Sequence, residues 1–529
     1  MFSLAILSCI LWASVVVGEA APSIAISINT SAVAALSSSH FTCWNIDASS
    51  NRGFFERDLD PTKPYGKQIA KQAAAIGRGQ AMQLLRWGGT GNDQLSYCFN
   101  GGESACGFEP HPMHRKLNET MWRSLLDFTK AASAKIIVGL AVPKWTGCEW
   151  NQQTDKSNCT LWNSTNARQL LSWTIANGYD GLIYALELGN EVDGMYTGEE
   201  QARNLQVLQQ LTEELWPDAA TRPLLLGPDA AHQQSPGGKP EPRDAYVRDF
   251  FAACATLKVP IAGATLHKYI EVTTARDTNA TFLDKTKARL SAYSTTVDKG
   301  WHSVAASSGL PPPRIWGGEV GPHNGGVPPC DHTSMRWATF ADSLWYVDGL
   351  ATAATLGYEA ICRQDLIGAD YGLLDCATGL PLPDFWSSML FSSLTSERVL
   401  SASAASGAPS SLRVYAHCSN AKTTTPGTPI TVVILNLAST TQSVQLPSST
   451  STFHMWQMTP SSMPGMNGTS SGLGGTDAML NGERLTLGAD GEVPDLLKKG
   501  KHISGATVSL PPTSITFVVI DGHFAAACK

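Results

Sequence analysis

Hydrophobic and polar positions alternate with period two in residues 23–28, which predicts a β-strand. Residues 41–47 read as a second strand, ending in Asp47. From there, strand-like and helix-like patterns take turns. Strands are predicted over 82–87, 135–142, 184–188, 224–229, 262–269, 314–320 and 358–367. Helices are predicted over 121–132, 166–176, 199–216, 243–257, 282–299 and 335–356. Counted from Phe41, this makes eight strands with helices between them, the pattern of a (β/α)8 TIM barrel. The texture changes near Ser392. Residues 413–417, 430–435, 441–446 and 514–520 are strand patterns with no helix between them, as in a β-sandwich. The expected organisation is therefore a catalytic barrel over 37–391 and a β-sandwich domain over 392–529. The strand in 21–36 precedes the barrel and is expected to join the sandwich, locking the two domains together. Residues 459–476, rich in Ser, Gly, Met and Pro, read as a surface loop.

Composition narrows the setting. A chain of 529 residues exceeds one ordinary core, and 43% hydrophobic with 16% charged residues is a globular balance. A net charge of -7 argues against a nucleic-acid partner. The apolar run to Val17, followed by Gly18-Glu19-Ala20, reads as a signal peptide over 1–20. It is shorter than the ~20 residues a spanning helix needs, and no later stretch is long enough, so no transmembrane segment is expected. This predicts a secreted protein, or one delivered to a lysosome- or vacuole-like compartment. Glycosylation acceptors stand at Asn29, Asn118, Asn158, Asn163, Asn279 and Asn467. Of the twelve cysteines, Cys9 falls in the leader, which leaves an odd number. In an oxidising compartment most should pair, with Cys98–Cys106 and Cys148–Cys159 close enough in sequence to staple loops. No Cys or His spacing suggests a metal site, and no cofactor is implied.

The chemistry concentrates in residues 184–192. An apolar strand there runs into Asn190-Glu191, where a barrel places its reactive groups. A carboxyl group at such a point can protonate a leaving oxygen while the neighbouring amide holds a hydroxyl. Glu319, ending the strand 314–320, is the best second carboxylate. Two acids from different strands of one barrel are the equipment of a glycosidase.

Further segments extend this reading. They are Leu85-Arg86-Trp87-Gly88-Gly89-Thr90, Trp162 to Ala167, Glu187-Leu188-Gly189-Asn190-Glu191, Gly227-Pro228-Asp229, Arg363-Gln364, Tyr415-Ala416-His417-Cys418 and Phe524 to Cys528. Together they resemble the heparanase and β-glucuronidase family of retaining glycoside hydrolases, glycoside hydrolase family 79. The resemblance implies Glu191 as general acid/base and Glu319 as nucleophile. It implies Asn190 on the sugar 2-hydroxyl and Asp47 and Thr90 on other sugar hydroxyls. His267 and Tyr269 match a family His-X-Tyr arrangement lining the pocket, with Tyr269 able to orient Glu319. Gln364 faces the pocket on this reading, while Gly325, Gly326 and Tyr371 receive a substrate carboxylate. Arg86 and Arg363 are expected as counter-ions inside the barrel and Glu187 as a structural acid. Cys418 and Cys528 match a family disulfide closing the sandwich.

Two departures qualify the resemblance. Animal heparanases carry an excisable linker where this chain has only residues 91–116, so no processing into two chains is expected. Residues 230–239 are nearly uncharged where animal heparanases carry basic clusters, which argues against tight binding of sulfated chains. The expected function is cleavage of β-glucuronosyl linkages in a glucuronic-acid-containing glycan or glucuronide. The alternatives are an endo-acting heparanase on heparan sulfate and a catalytically silent glycan-binding matrix protein. Retention of both carboxylates disfavours the last.

Overall fold

The computed structural model describes residues 23–48, 59–99, 115–142, 161–231, 242–269, 291, 297, 308–322, 339–421, 427–447, 451–461, 473–521 and 525–529. The first strands are β1 (Ile24–Ile28), β2 (Ala35–Leu36), β3 (Thr42–Ile46) and β4 (Gln83–Trp87). A small parallel pair, β5 (Leu95–Cys98) and β6 (Arg115–Asn118), follows. Then come β7 (Ala134–Leu140), β8 (Ile183–Leu188), β9 (Leu224–Ala231), β10 (Gly263–Tyr269), β11 (Arg314–Gly321) and β12 (Ala360–Arg363). The helices among them are α1 (Pro64–Ile76), α2 (Glu119–Ala131), α3 (Thr165–Ala176), α4 (Gly198–Leu215), α5 (Pro242–Leu257), α6 (Phe340–Thr355) and α7 (Pro383–Leu394).

Strands β3, β4, β7, β8, β9, β10, β11 and β12 pair in that order, and β12 closes onto β3 to complete the barrel. All eight pairings are parallel. The period of two explains the interior. Cys43, Leu84, Ile137, Ala185, Leu226, Trp316, Ala360 and Cys362 form one apolar layer. Two residues further along the same strands, facing the same way, stand Asn45, Arg86 and Glu187. The barrel interior thus turns from apolar to polar toward its C-terminal mouth. Cys43 and Cys362, register partners on β3 and β12, are disulfide-bonded across the seam where the barrel closes.

Local sequence fixes several helix starts. Thr197 and Glu200 form a reciprocal capping box at α4, and Asn118 accepts from Met121 N at the start of α2. Proline stands in the first turn of α1 and α7, where its missing N–H costs no helix hydrogen bond.

The second domain adds β13 (Thr395–Leu400), β14 (Ala402–Ala404), β15 (Leu412–Ser419), β16 (Ile430–Asn436), β17 (Gln442–Gln445) and β18 (Thr452–Pro460). It ends with β19 (Ala478–Leu480), β20 (Glu483–Arg484), β21 (Lys501–Ser504), β22 (Thr507–Leu510) and β23 (Ser514–Ile520). Nine of its strands, β2 included, form one sheet, and β14, β1, β17 and β22 form the other. β1 lies between β14 and β17, so the strand that precedes the barrel completes the sandwich. The larger sheet is buried on both faces. Val432, Ile434, Val518 and Ile520 point into the sandwich core, while Val433, Leu435, Phe517 and Val519 pack toward the barrel. That double burial is why β16 and β23 read as unbroken apolar runs. Cys418 is disulfide-bonded to Cys528.

Some expectations need correction. The last barrel strand spans Ala360–Arg363, not 358–367; beyond Arg363 the regular pairing with β3 ends, though Leu366 N still donates to Asn45 O of that strand. Residues 459 and 460 belong to β18, paired with β19; most of the remaining expected loop lies outside the described residues. The helix expected from 335 is described as Phe340–Thr355. The helix expected over 282–299 falls mainly outside the described residues, as do Cys106, Cys148 and Cys159. Of the glycosylation acceptors, Asn29, Asn118 and Asn163 are exposed, whereas Asn158, Asn279 and Asn467 lie outside the described residues. Among the described residues no helix is long and apolar enough to cross a membrane.

Candidate active site

Arg86, near the end of β4, is the centre of the barrel mouth. Its Nε donates to Glu187 Oε2 at 2.7 Å, its Nη1 to Glu319 Oε2 at 3.0 Å, and its Nη2 to Asp229 Oδ2 at 2.7 Å and Asn190 Oδ1 at 3.3 Å. One planar fork thereby fixes groups from β8, β9 and β11. The following glycines are required by this packing. A Cβ on Gly88 would stand 2.7 Å from the Arg86 guanidinium carbon. One on Gly89, whose φ is +139°, would stand 2.3 Å from the Asp47 carboxylate.

Burial works against the Arg86 charge, but Asp229, Glu187 and Glu319 outweigh it and hold its pKa well above the usual value. Glu187 is fully buried, and burial together with Asp229 raises its pKa to about 7 against the pull of Arg86. It thus takes the position of a structural acid beneath the site.

His267, near the end of β10, faces acids with both ring nitrogens. Nδ1 lies 2.9 Å from Glu191 Oε1 and Nε2 lies 2.7 Å from Asp229 Oδ1. Asp229 calls for an N–H donor at Nε2, while Nδ1 faces the Glu191 carboxyl group. Burial disfavours a charged ring, yet Asp229 and Glu319 raise the pKa of His267 well above its ordinary value. Asp229 accepts from Arg86 and His267 at once. Burial pushes its pKa up, and the two cations bring it below the ordinary carboxylate value.

Glu319, on β11, accepts from Tyr269 at Oε1 and from Arg86 at Oε2. Burial raises its pKa, His267 and Arg86 pull it back, and Glu191 and Asp47 push it up again; the net direction is upward. Glu191 follows β8 in a left-handed conformation, φ 53°, with its backbone N–H donating to Asp229 O at 2.9 Å. Its side chain is 25% exposed against 8% for Glu319, so Glu191 is the more open acid. Oxygen atoms of the two carboxylates lie within 4.8 Å of one another.

The structure also brings the other expected residues to this mouth. Asn190 is buried, with its backbone N–H on Asp93 Oδ2 at 3.0 Å. Asp47 is buried and accepts from Gly91 N at 3.1 Å, and Thr90 is exposed just beyond Gly89. Gln364 is buried, and its Oε1 has no hydrogen-bond partner. Tyr371 packs with Tyr269 and Ala369. Arg363 does not pair with Glu191 or Glu319; it donates to Asp384 Oδ2 at 2.7 Å and to Tyr371 O at 2.8 Å. Gly325 and Gly326 lie outside the described residues. Around Tyr371, burial raises Asp365 to about 7 and Asp370 to about 6.

Two residues of the network went unassigned by sequence reading. Asp229 was visible only as part of a Gly-Pro-Asp segment, although an acid ending a barrel strand was the available signal. Asp93 ties Asn190 N and Val142 N together from a short 3-10 turn that carries no periodic pattern. Glu191, His267 and Glu319 each present a ligand-type atom within 4.8 Å of the others, a spacing that could admit a cation. Each already has a proton-bearing or acidic partner, and the counter-charge to these acids comes from Arg86 and His267.

Comparison with known proteins gives the family. The family Glycosyl hydrolase family 79, N-terminal domain, matches residues 80–351. Heparanase of Gallus gallus is 28% identical over 442 residues, covering 79% of this chain and 74% of that protein. Baicalin-beta-D-glucuronidase of Scutellaria baicalensis is 27% identical over 375 residues, covering 68% of this chain and 63% of that protein. Among solved structures, a 4-O-alpha-L-rhamnosyl-beta-D-glucuronidase from Fusarium oxysporum superposes with a TM-score of 0.58 at 12% identity, covering 94% of this chain and 100% of that one. This last likeness speaks for the fold alone. The family match spans just over half of the sequence and takes in Arg86, Glu191, Asp229, His267 and Glu319, and the chain belongs to glycosyl hydrolase family 79.

Proposed function

We propose that this protein is a retaining glycosidase that cleaves β-glucuronosyl linkages, with Glu319 as nucleophile and Glu191 as general acid/base. The observation that carries this reading is the carboxylate spacing. One oxygen of each carboxylate lies within 4.8 Å of the other, which supports the about 5–5.5 Å separation of retaining enzymes over the about 6.5–9.5 Å that an inverting enzyme needs for a water.

In the first step Glu319 attacks the anomeric carbon as the glycosidic bond breaks and Glu191 gives its proton to the leaving oxygen. In the second, Glu191 removes a proton from water, whose oxygen displaces Glu319. Tyr269 and Arg86 aim the Glu319 carboxylate. His267 positions Glu191 while resting on Asp229. Asn190 is placed to hold the 2-hydroxyl.

The likeness to a β-D-glucuronidase supports a uronic-acid substrate. The placement of Tyr371 against Tyr269 supports it as a donor to the uronate carboxylate. The Cys43–Cys362 and Cys418–Cys528 disulfides support work in an oxidising compartment reached by secretion, where exposed Asn29, Asn118 and Asn163 would accept glycans.

The test compares an aryl β-glucuronide with the aryl β-glucoside on wild type and on Tyr371→Phe. A few hydrogen bonds to a charged group, about 1.5–3 kcal/mol each, predict a preference for the glucuronide on the order of 100-fold or more in kcat/KM. Equal kcat/KM for the two sugars refutes the uronate site, and unchanged preference in Tyr371→Phe removes that residue from it. The likeness to heparanase favours a second reading, endo-cleavage of heparan sulfate. Shortening of heparan sulfate chains without turnover of the aryl glucuronide would select it.

A further inference from the structure

Far along the chain from the barrel strands, β18 and β21 run antiparallel in the sandwich with His454 directly opposite His502. Side chains opposite each other on such a pair project from the same face. Here the two imidazole rings stand with centroids 5.1 Å apart and planes at 70°. On the other side of β18, β23 pairs its Val519 with His454. Asp521, two residues on, returns to the same face. Its Oδ2 lies 2.8 Å from His454 Nδ1. The Asp521 side chain is only 5% exposed, and its other oxygen, Oδ1, has no partner.

We propose that His454 and His502 form a binding site for a divalent transition-metal ion of the zinc, nickel and copper class, with Asp521 as the positioning residue behind the first ligand. A carboxylate on Nδ1 fixes the proton there and leaves Nε2 of His454 with its lone pair free. This is the arrangement by which outer carboxylates orient metal-binding histidines. The ring spacing fits a shared ion. With a metal–nitrogen distance of about 2.0–2.1 Å, each ring centroid lies about 3.2 Å from the metal, and two rings at a tetrahedral angle then stand about 5 Å apart.

His502 is exposed, so the ion can enter from solvent and complete its shell with water. Lys501, the adjacent cation, is turned away, its Nζ donating to Asn481 O at 2.9 Å. The two histidines are far apart in sequence, and only the strand register unites them. A bound ion would bridge the short strand β21 to β18 and stabilise that sheet. Imidazole ligands suit these ions better than magnesium or calcium, and copper should bind most tightly.

The test titrates the full chain at pH 7.5 with Cu2+, Ni2+ and Zn2+ by calorimetry, with electron paramagnetic resonance of the copper form. One equivalent of Cu2+ with a two-nitrogen signature is expected. Affinity should fall at least tenfold in His502→Ala, an exposed substitution with little reason to unfold the sheet. It should fall in Asp521→Asn as well, by about 10–100-fold, and it should weaken at pH 5.5, where protons compete for the ligands. Mg2+ and Ca2+ should not bind. Unchanged affinity and stoichiometry in His502→Ala would place the ion elsewhere and overturn the proposal, as would no uptake of Cu2+ by folded wild type.

Discussion

His267 holds Glu191, Nδ1 to Oε1 at 2.9 Å, from a position that is itself almost fully buried. The open acid of the pair is therefore tied to a closed, charged support. Its direction follows from Asp229 and Arg86, both buried beneath the site. If His267 acts through Glu191, His267→Gln should lower kcat about 10- to 100-fold, the worth of one hydrogen bond to a charged group. The loss should be larger for aryl glucuronides with poor leaving groups, which depend on proton donation. An equal loss for all leaving groups would mean general damage instead.

Substitution of the two carboxylates separates their roles. Glu319→Gln should lose nearly all turnover with the fold intact, because no covalent intermediate can form. Glu191→Gln should keep partial activity on substrates with good leaving groups. Proton NMR during early turnover by wild type should show the β anomer first. An initial α anomer, or substantial activity in Glu319→Gln, would rule out the double displacement.

The acids around Tyr371 predict a pH effect on binding. Burial keeps Asp365 protonated up to about 7 and Asp370 up to about 6. Below those values both are neutral beside the proposed uronate carboxylate. As pH rises through them, each adds a negative charge and should repel it. KM for an aryl β-glucuronide should therefore climb between about pH 6 and pH 7 while KM for the glucoside stays level. Asp365→Asn should flatten part of that climb. Parallel pH profiles for the two sugars would dissociate these acids from substrate charge.

The bond between Cys43 and Cys362 spans 319 residues of sequence and closes the barrel seam. Links over such long loops typically stabilise a domain by about 2–5 kcal/mol. The Cys43→Ala/Cys362→Ala double variant should unfold at lower denaturant concentration by a corresponding amount. Both sulfurs are buried, so reductant without denaturant should leave the native bond intact. Equal unfolding midpoints for wild type and the double variant would show that strand pairing alone holds the seam.

The barrel strands were legible because most end in a conspicuous signal: Asp47, Gly88-Gly89, Asn190-Glu191, Asp229, Glu319. Helix α1 was not, since it opens on Pro64 and Gly66, residues that read as a turn, and its buried face mixes Ile69 and Ile76 with Gln72 and several small residues. Helix α7 is buried all round, with Ser387, Ser388, Ser392 and Ser393 inside, so it has no polar face to set a period. The same limit applied within the site. Local pattern pointed to each acid at a strand end, but not to one guanidinium joining three of them across the mouth. That depends on β4 facing β8, β9 and β11 through the barrel interior. The Cys43–Cys362 bond was equally hidden, because it depends on which strand closes onto the first.

Strand β1 bears on how the chain is made. Its partners, Ala404 opposite Ile26 and Val444 beside Ile24, emerge from the ribosome several hundred residues later. At about 5–20 residues per second, the wait is roughly 20 to 80 s. Throughout it, the opening segment has an unpaired edge and half of a sheet core to keep from wrong partners, while the barrel is being synthesised behind it. Completion of the sandwich therefore reports that the barrel has already been translated, and a message truncated before β14 yields a product in which β1 has neither of its partners.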